Sequence, residues 1–231
     1  NTMIPYTPTY TAPGHTCVYT GSVPAIHGII SNNWYNRYTK KGVYCTDDEI
    51  VSTVGSTGNA GKMSPEYMWT TTITDELRLS SNFKSKVIGI ALKDRGAILP
   101  AGHSANAAYW YDDKVGKWIT STYYMNELPS WVSSFNDKDP VAKYMSKDWY
   151  TLLTMDKYDQ SSADEKSYEG TLAGANTFPH KMSAVTKDKY AVFKTTPFAN
   201  TYTFDFAKAA IENEALGKSS ATDFLAVSIS S

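Results

Sequence analysis

The chain has 231 residues, 42% of them apolar, with 17 Tyr and 6 Trp, enough to bury a sizeable core and too aromatic for a disordered segment. Its 22 Lys and Arg nearly balance 23 Asp and Glu, which removes the electrostatic ground for a nucleic-acid groove or an anionic membrane surface. No apolar run approaches the roughly 20 residues that span a bilayer. Any chemistry must therefore come from local groupings.

The first grouping in chain order is Tyr-Thr-Ala-Pro-Gly-His-Thr at 10–16. A hydroxyl becomes a useful nucleophile on a short loop leading into a helix whose N–H groups face an anion, which makes Thr11 a candidate nucleophile. Pro13 and Gly14 read as turn residues, and the apolar run 17–19 begins either a helix or a short strand. The same residues read equally well as an ordinary polar turn. Next, Ser64-Pro65-Glu66 resembles a helix start with Pro at the first helical position. The run Thr74-Asp75-Glu76-Leu77 is a second helix start, ahead of a short amphipathic helix.

A continuous apolar run then predicts a buried strand over 87–92, followed by Lys93-Asp94-Arg95. By composition that triplet is a solvated turn, although at the end of a strand Lys93 and Arg95, two apart, share a face. Residues 107–111 and 117–123 predict two strands joined by the turn Asp112-Asp113-Lys114-Val115-Gly116. Trp131, Phe135, Trp149 and Tyr150 follow among Pro129 and Pro140, and the stretch 125–200 reads as a cap or insertion. The run 202–216 has helical periodicity, with Thr203 as N-cap and Gly217 as stop, and 224–229 is a last core strand. Helix followed by strand, twice, predicts an α/β layered sheet with helices on both faces. The expected division is a core over 1–124, the cap over 125–200, and a return to the core over 201–231.

Four histidines, His15, His27, His103 and His180, include no pair at a short ligand spacing, which favours structural roles over metal binding. Asp47-Asp48-Glu49 and Asp112-Asp113 read as solvated turns. Cys17 and Cys45 pair in an oxidising compartment or act as small buried apolar residues in a reducing one, and the sequence leaves both readings open.

Two blocks carry a resemblance. Residues Tyr10 to His15, then Tyr19-Thr20-Gly21, Pro24, His27-Gly28-Ile29 and Asn32-Asn33-Trp34 form the first; Lys86 to His103 with Ala107-Ala108-Tyr109-Trp110-Tyr111-Asp112 forms the second. Together they resemble the type I phosphodiesterase and nucleotide pyrophosphatase branch of the alkaline phosphatase superfamily, closest to bacterial periplasmic alkaline phosphatases of the PafA type. The likeness thins between about 137 and 196.

The resemblance implies a threonine nucleophile at Thr11 that is phosphorylated in turnover and also touches one of two zinc ions. It implies Asn32 as a contact to a phosphoryl oxygen, and Lys93 and Arg95 as the pair that marks a monoesterase. The implied substrate is a small phosphate ester, and the implied location is the periplasm or outside a bacterial cell. A monoester dianion carries one more negative charge than a diester, so two added cations favour it electrostatically. A pair of divalent ions about 4 Å apart needs several Asp and His ligands, and most of these are missing from this chain. The expectation is thus an internal piece of a longer phosphomonoesterase, inactive by itself, ending a few residues short of its next metal ligands. Two alternatives are carried: a phosphodiesterase or nucleotide pyrophosphatase, and a non-catalytic globular fragment.

Overall fold

A computed structural model describes residues 9–230. In chain order its elements are α1 (Thr11–Thr20), α2 (Pro24–His27), β1 (Asn33–Asn36), β2 (Lys41–Tyr44), β3 (Thr53–Val54), α3 (Ile73–Ser80), β4 (Val87–Ala91) and α4 (Asp94–Ala101). They continue with β5 (Ala107–Asp112), β6 (Lys117–Ser121), α5 (Ser130–Asp137), α6 (Pro140–Met145), α7 (Lys189–Phe193), α8 (Pro197–Asn213) and β7 (Phe224–Ser228). Strands β1 and β2 form a hairpin of their own, and the other five make one sheet in the order β3-β6-β5-β4-β7.

Strand β4 lies at the heart of that sheet, parallel to β5 on one side and to β7 on the other, and every one of its residues is buried. That is what an uninterrupted apolar run requires, since a parallel strand is covered on both faces. The pleat sorts its side chains. Ile88 and Ile90, with Tyr109 and Tyr111 of β5, face α8 and the segment before it, joining Trp118, Tyr202, Phe206 and Phe193 in the largest core cluster. Ala91, Ala108 and Trp110 face the other way, against Ala97, Ile98 and Ala101 of α4. The two faces differ in residue size. Trp118 stacks on Phe206 at 4.4 Å between ring centres, which fills a deep layer under α8. On the opposite face Gly89 brings α4 almost onto the strand: a Cβ there would stand 2.1 Å from the Ala97 carbonyl oxygen.

The layered α/β sheet expected from the sequence is present, with β4, the β5–β6 hairpin and β7 at their expected places. Several local expectations are corrected. Pro13 and Gly14 lie inside the first turn of α1, where proline is tolerated because its missing N–H would have no helical partner. Residues 64–70 form turns without a helix, because no periodic apolar face follows Pro65. Helix α3 begins at Ile73, capped by Thr72 in a reciprocal box with Asp75, two residues before the expected start. Helix α8 begins at Pro197 behind Thr196; Thr203 is not its cap but sits within it, its hydroxyl donating to the Ala199 carbonyl. Apolar residues of the 125–200 stretch, among them Val132, Val141, Met145, Met182 and Phe193, are continuous with the α8-side core. Among the described residues no helix is long and apolar enough to cross a membrane.

Candidate active site

Open parallel sheets bind ligands beyond the carboxyl ends of their strands. Here Ala91, the last residue of β4, is paired with Ser228, the last of β7, and the chain leaving β4 turns directly into α4. Lys93 is the N-cap residue of α4 and Arg95 stands in its first turn. The pair therefore sits at a helix start, and the shared strand face expected from the sequence does not apply. Helix α1 packs against α4, with Ala12 and Leu99 in one buried cluster. This puts the start of α1, which is Thr11, at the same end of the sheet.

Three contacts describe the convergence. The backbone N–H of Ala12 donates to Asn32 Oδ1 at 2.8 Å, which locks the Asn32 side chain beside Thr11 and leaves its Nδ2 amide as a donor. One helical turn beyond Thr11, His15 Nε2 lies 3.2 Å from Ser228 Oγ. Burial lowers the pKa of His15, and the charges of Arg95 and then Lys93 lower it further, so both cations act on the helix that carries Thr11. The structure thus brings all four predicted site residues, Thr11, Asn32, Lys93 and Arg95, to one place, each partly exposed.

The electrostatics are those of an anion site. Two cations stand at the N-terminus of α4, the positive end of its dipole, and only Asp94 offsets them locally. Burial lowers the Lys93 pKa, and Arg95 and Lys194 lower it further. Lys194 comes from the segment just after α7 and pairs with Asp113 at 3.0 Å. An incoming anion would relieve this crowding of positive charge.

Further residues in the site were not legible in the sequence. Tyr44, at the end of β2, donates its hydroxyl proton to Asp94 Oδ1 at 2.5 Å and accepts from Arg95 Nη1 at 2.7 Å. Thr46 Oγ1 donates to the same Asp94 oxygen at 3.3 Å. Fifty positions separate Tyr44 from Asp94, and no spacing rule links them. The remaining histidines have structural partners. His27 is buried, its Nδ1 accepting from the Ile29 N–H and its Nε2 3.3 Å from Cys17 Sγ. His103 bridges Asp75 and the Met68 carbonyl, and His180 packs on Trp149 and Phe178. No disulfide joins Cys17 and Cys45.

This donor set does not by itself supply the metal site that the resemblance implies for the longer enzyme. Among the described residues no three of His, Cys, Asp and Glu come together in a group able to hold a cation. Thr11, the one predicted metal contact, has no companion ligands there. The solvated turn expected at 47–49 is corrected: Asp47 bridges to Met63, Asp48 is buried with its Oδ1 accepting from the Ile50 N–H, and Glu49 is exposed. We derive no chemical step through zinc.

Two helix N-termini and a pair of cations at the carboxyl ends of parallel strands form an arrangement suited to an anion. The chain belongs to the type I phosphodiesterase / nucleotide pyrophosphatase family, whose model matches residues 1–229. Over its whole length it is 54% identical to the alkaline phosphatase PhoV of Synechococcus elongatus, covering 42% of that protein. It is also 54% identical, again over its whole length and 43% of the relative, to a Myroides odoratus protein named "Calcium-transporting ATPase". The crystal structure of wild-type alkaline phosphatase PafA superposes on 98% of this chain with a TM-score of 0.93 at 50% identity, using 44% of the PafA chain. The chain spans less than half the length of these relatives.

Proposed function

We propose that this chain supplies the nucleophile and the phosphate-contacting residues of a phosphomonoester hydrolase. The observation that carries the reading is the Ala12 to Asn32 hydrogen bond, which joins the start of α1 to the Asn32 side chain, while Lys93 and Arg95 act on His15 one turn along the same helix. Thr11 Oγ attacks phosphorus in line with the ester oxygen; the P–O bond to Thr11 forms as the bond to the alcohol breaks, and the Thr11 hydroxyl proton ends on the departing alcohol, giving phosphothreonine and the free alcohol. Water then displaces phosphate from Thr11. Asn32, Lys93 and Arg95 hold the non-bridging oxygens and compensate their charge, the larger part of catalysis in a loose phosphoryl-transfer transition state. The segment 125–200 acts as a cap, a reading supported by the effect of Lys194 on Lys93.

The name alkaline phosphatase, borne by PhoV and PafA, favours monoesters over diesters, as does the extra cationic pair. Hydrolysis we assign to a protein of the relatives' full length carrying this span, with zinc held there by ligands outside the described residues and the whole exported to the periplasm or beyond. Titrating the 231-residue chain with inorganic phosphate tests the anion site. Asn32→Ala and Arg95→Ala should each weaken binding about tenfold, the effect of one charge-assisted hydrogen bond. In the full-length protein Arg95→Ala should slow aryl monoester hydrolysis more than diester hydrolysis; equal losses would sink the monoesterase assignment. Intact mass and zinc content of the purified material establish which molecule is being measured.

A further inference from the structure

Arg95 is held in an unusual way. A guanidinium beside an aspartate ordinarily forms a direct, often bidentate, ion pair. Among the described residues no ion pair joins Arg95 to the adjacent Asp94. The Tyr44 hydroxyl stands between them instead, accepting from Arg95 Nη1 at 2.7 Å and donating to Asp94 Oδ1 at 2.5 Å. Asp94 Oδ1 is also occupied by the Thr46 hydroxyl and by the backbone N–H of Arg95. The guanidinium is thereby tethered by a neutral group at one nitrogen. Its Nε is shut off from solvent and has no acceptor among the described residues. A buried donor without a partner is costly, so the reach of the fork to an anion falls to its other N–H groups. The guanidinium carbon of Arg95 stands 5.9 Å from the centre of the Tyr44 ring, off its hydroxyl end.

We propose that Tyr44 is a positioning residue that holds Arg95 off Asp94 and aims its remaining N–H groups at the phosphoryl group. The inference rests on the reading of Arg95 as a phosphate contact. Without the hydroxyl, Arg95 swings toward Asp94, its charge is neutralised by the carboxylate, and the anion loses its partner. Tyr44→Phe removes only the oxygen and keeps the ring.

The test is a double-mutant cycle on the 231-residue chain, read by titration with inorganic phosphate and followed by 31P NMR. Tyr44→Phe should weaken phosphate binding about tenfold in the parent chain and by less than about twofold in the Arg95→Ala background, because its effect travels through Arg95. A merely structural role for the hydroxyl would give the same loss in both backgrounds. Equal losses, or no loss in the parent chain, overturn the role of Tyr44 while an Arg95→Ala defect leaves the phosphate site standing. If the parent chain does not bind phosphate, or Arg95→Ala binds it unchanged, the phosphate-site reading falls and the role of Tyr44 falls with it.

Discussion

Asp75→Ala is expected to lower the unfolding free energy by about 3–5 kcal/mol, measured by urea denaturation near pH 6. The Asp75 side chain is only 3% exposed, and both of its oxygens are fully used. Oδ2 accepts from the Thr72 N–H and hydroxyl, each at 3.0 Å, and from His103 Nδ1 at 3.2 Å. Oδ1 accepts from the Ser104 N–H at 2.7 Å and the Ser104 hydroxyl at 2.8 Å. The carboxylate thus caps α3 and fastens it to the turn that follows α4. Gly102 is required in that turn: its φ is +80°, and a Cβ would stand 2.4 Å from Thr72 Oγ1. Truncation at Asp75 strands two backbone N–H groups in one buried spot and takes the partner from the partly exposed His103 ring, which is why the loss exceeds that of a single hydrogen bond.

The same cluster sets a pH window. His103 has Nε2 against the Met68 carbonyl at 2.7 Å and Nδ1 against Asp75, so both ring nitrogens face acceptors, an arrangement that favours the protonated ring. The hydrogen bond to Asp75 raises the His103 pKa, outweighing burial. Burial alone would raise the Asp75 pKa, but the hydrogen bonds from His103, Thr72 and Ser104 hold it well below the usual carboxylate range. Tyr123, whose hydroxyl donates to the His103 carbonyl, keeps its proton because burial raises its pKa. The raised histidine contributes stability fully below about pH 6.5, its unfolded pKa, and that contribution is lost as pH rises through the folded value. The depressed carboxyl contributes above about pH 4 and loses its contribution as pH falls through its folded value. The contribution of this pair to the denaturation midpoint should therefore be flat between about pH 4 and 6.5 and fall on either side. In His103→Gln the alkaline fall attributable to this pair should disappear; an unchanged alkaline limb would remove the imidazolium from the account.

What was legible in the sequence followed from short-range physics. The apolar run at 87–92 could only be a strand covered on both faces, and the Asp112 to Gly116 turn named its own hairpin. The site residues Thr11, Asn32, Lys93 and Arg95 came from the resemblance, while composition alone made two of them a solvated turn. Local signals misled where they compete. Thr203 looks like a cap but satisfies its hydroxyl within the helix, because Pro197 had already started α8 a full two turns earlier. Ser64-Pro65-Glu66 carries a helix-start pattern without an amphipathic face behind it. The Tyr44, Asp94 and Thr46 arrangement, and the Asp75 to His103 pair, were hidden for a different reason. They join residues that only the packing of α3, α4 and β2 makes neighbours, and no periodicity reports a contact across 28 or 50 positions.

Gly89→Ala should be as damaging as any apolar truncation in the core, destabilising by at least about 3 kcal/mol through overpacking. The added Cβ meets the Ala97 carbonyl oxygen at 2.1 Å, the Ala97 carbonyl carbon at 3.0 Å and the Ala101 Cβ at 2.9 Å. Two of those atoms are helix backbone, so no side-chain rotation relieves the clash and α4 as a whole must lift from β4. Lifting α4 carries Lys93 and Arg95 away from α1 and from Tyr44, so the fraction that stays folded should bind inorganic phosphate at least tenfold more weakly. Gly21→Ala is the matched control. Gly21 closes α1 with a φ of +65° and nothing within 4 Å of its Cβ position, so alanine there costs only the left-handed backbone, about 1–2 kcal/mol, and leaves phosphate affinity unchanged. Melting and phosphate titration of the two variants side by side separate backbone strain from displacement of the helix. If Gly89→Ala loses stability but keeps full phosphate affinity, the cations do not depend on the seating of α4, and the link between the tight β4–α4 contact and the anion site is broken.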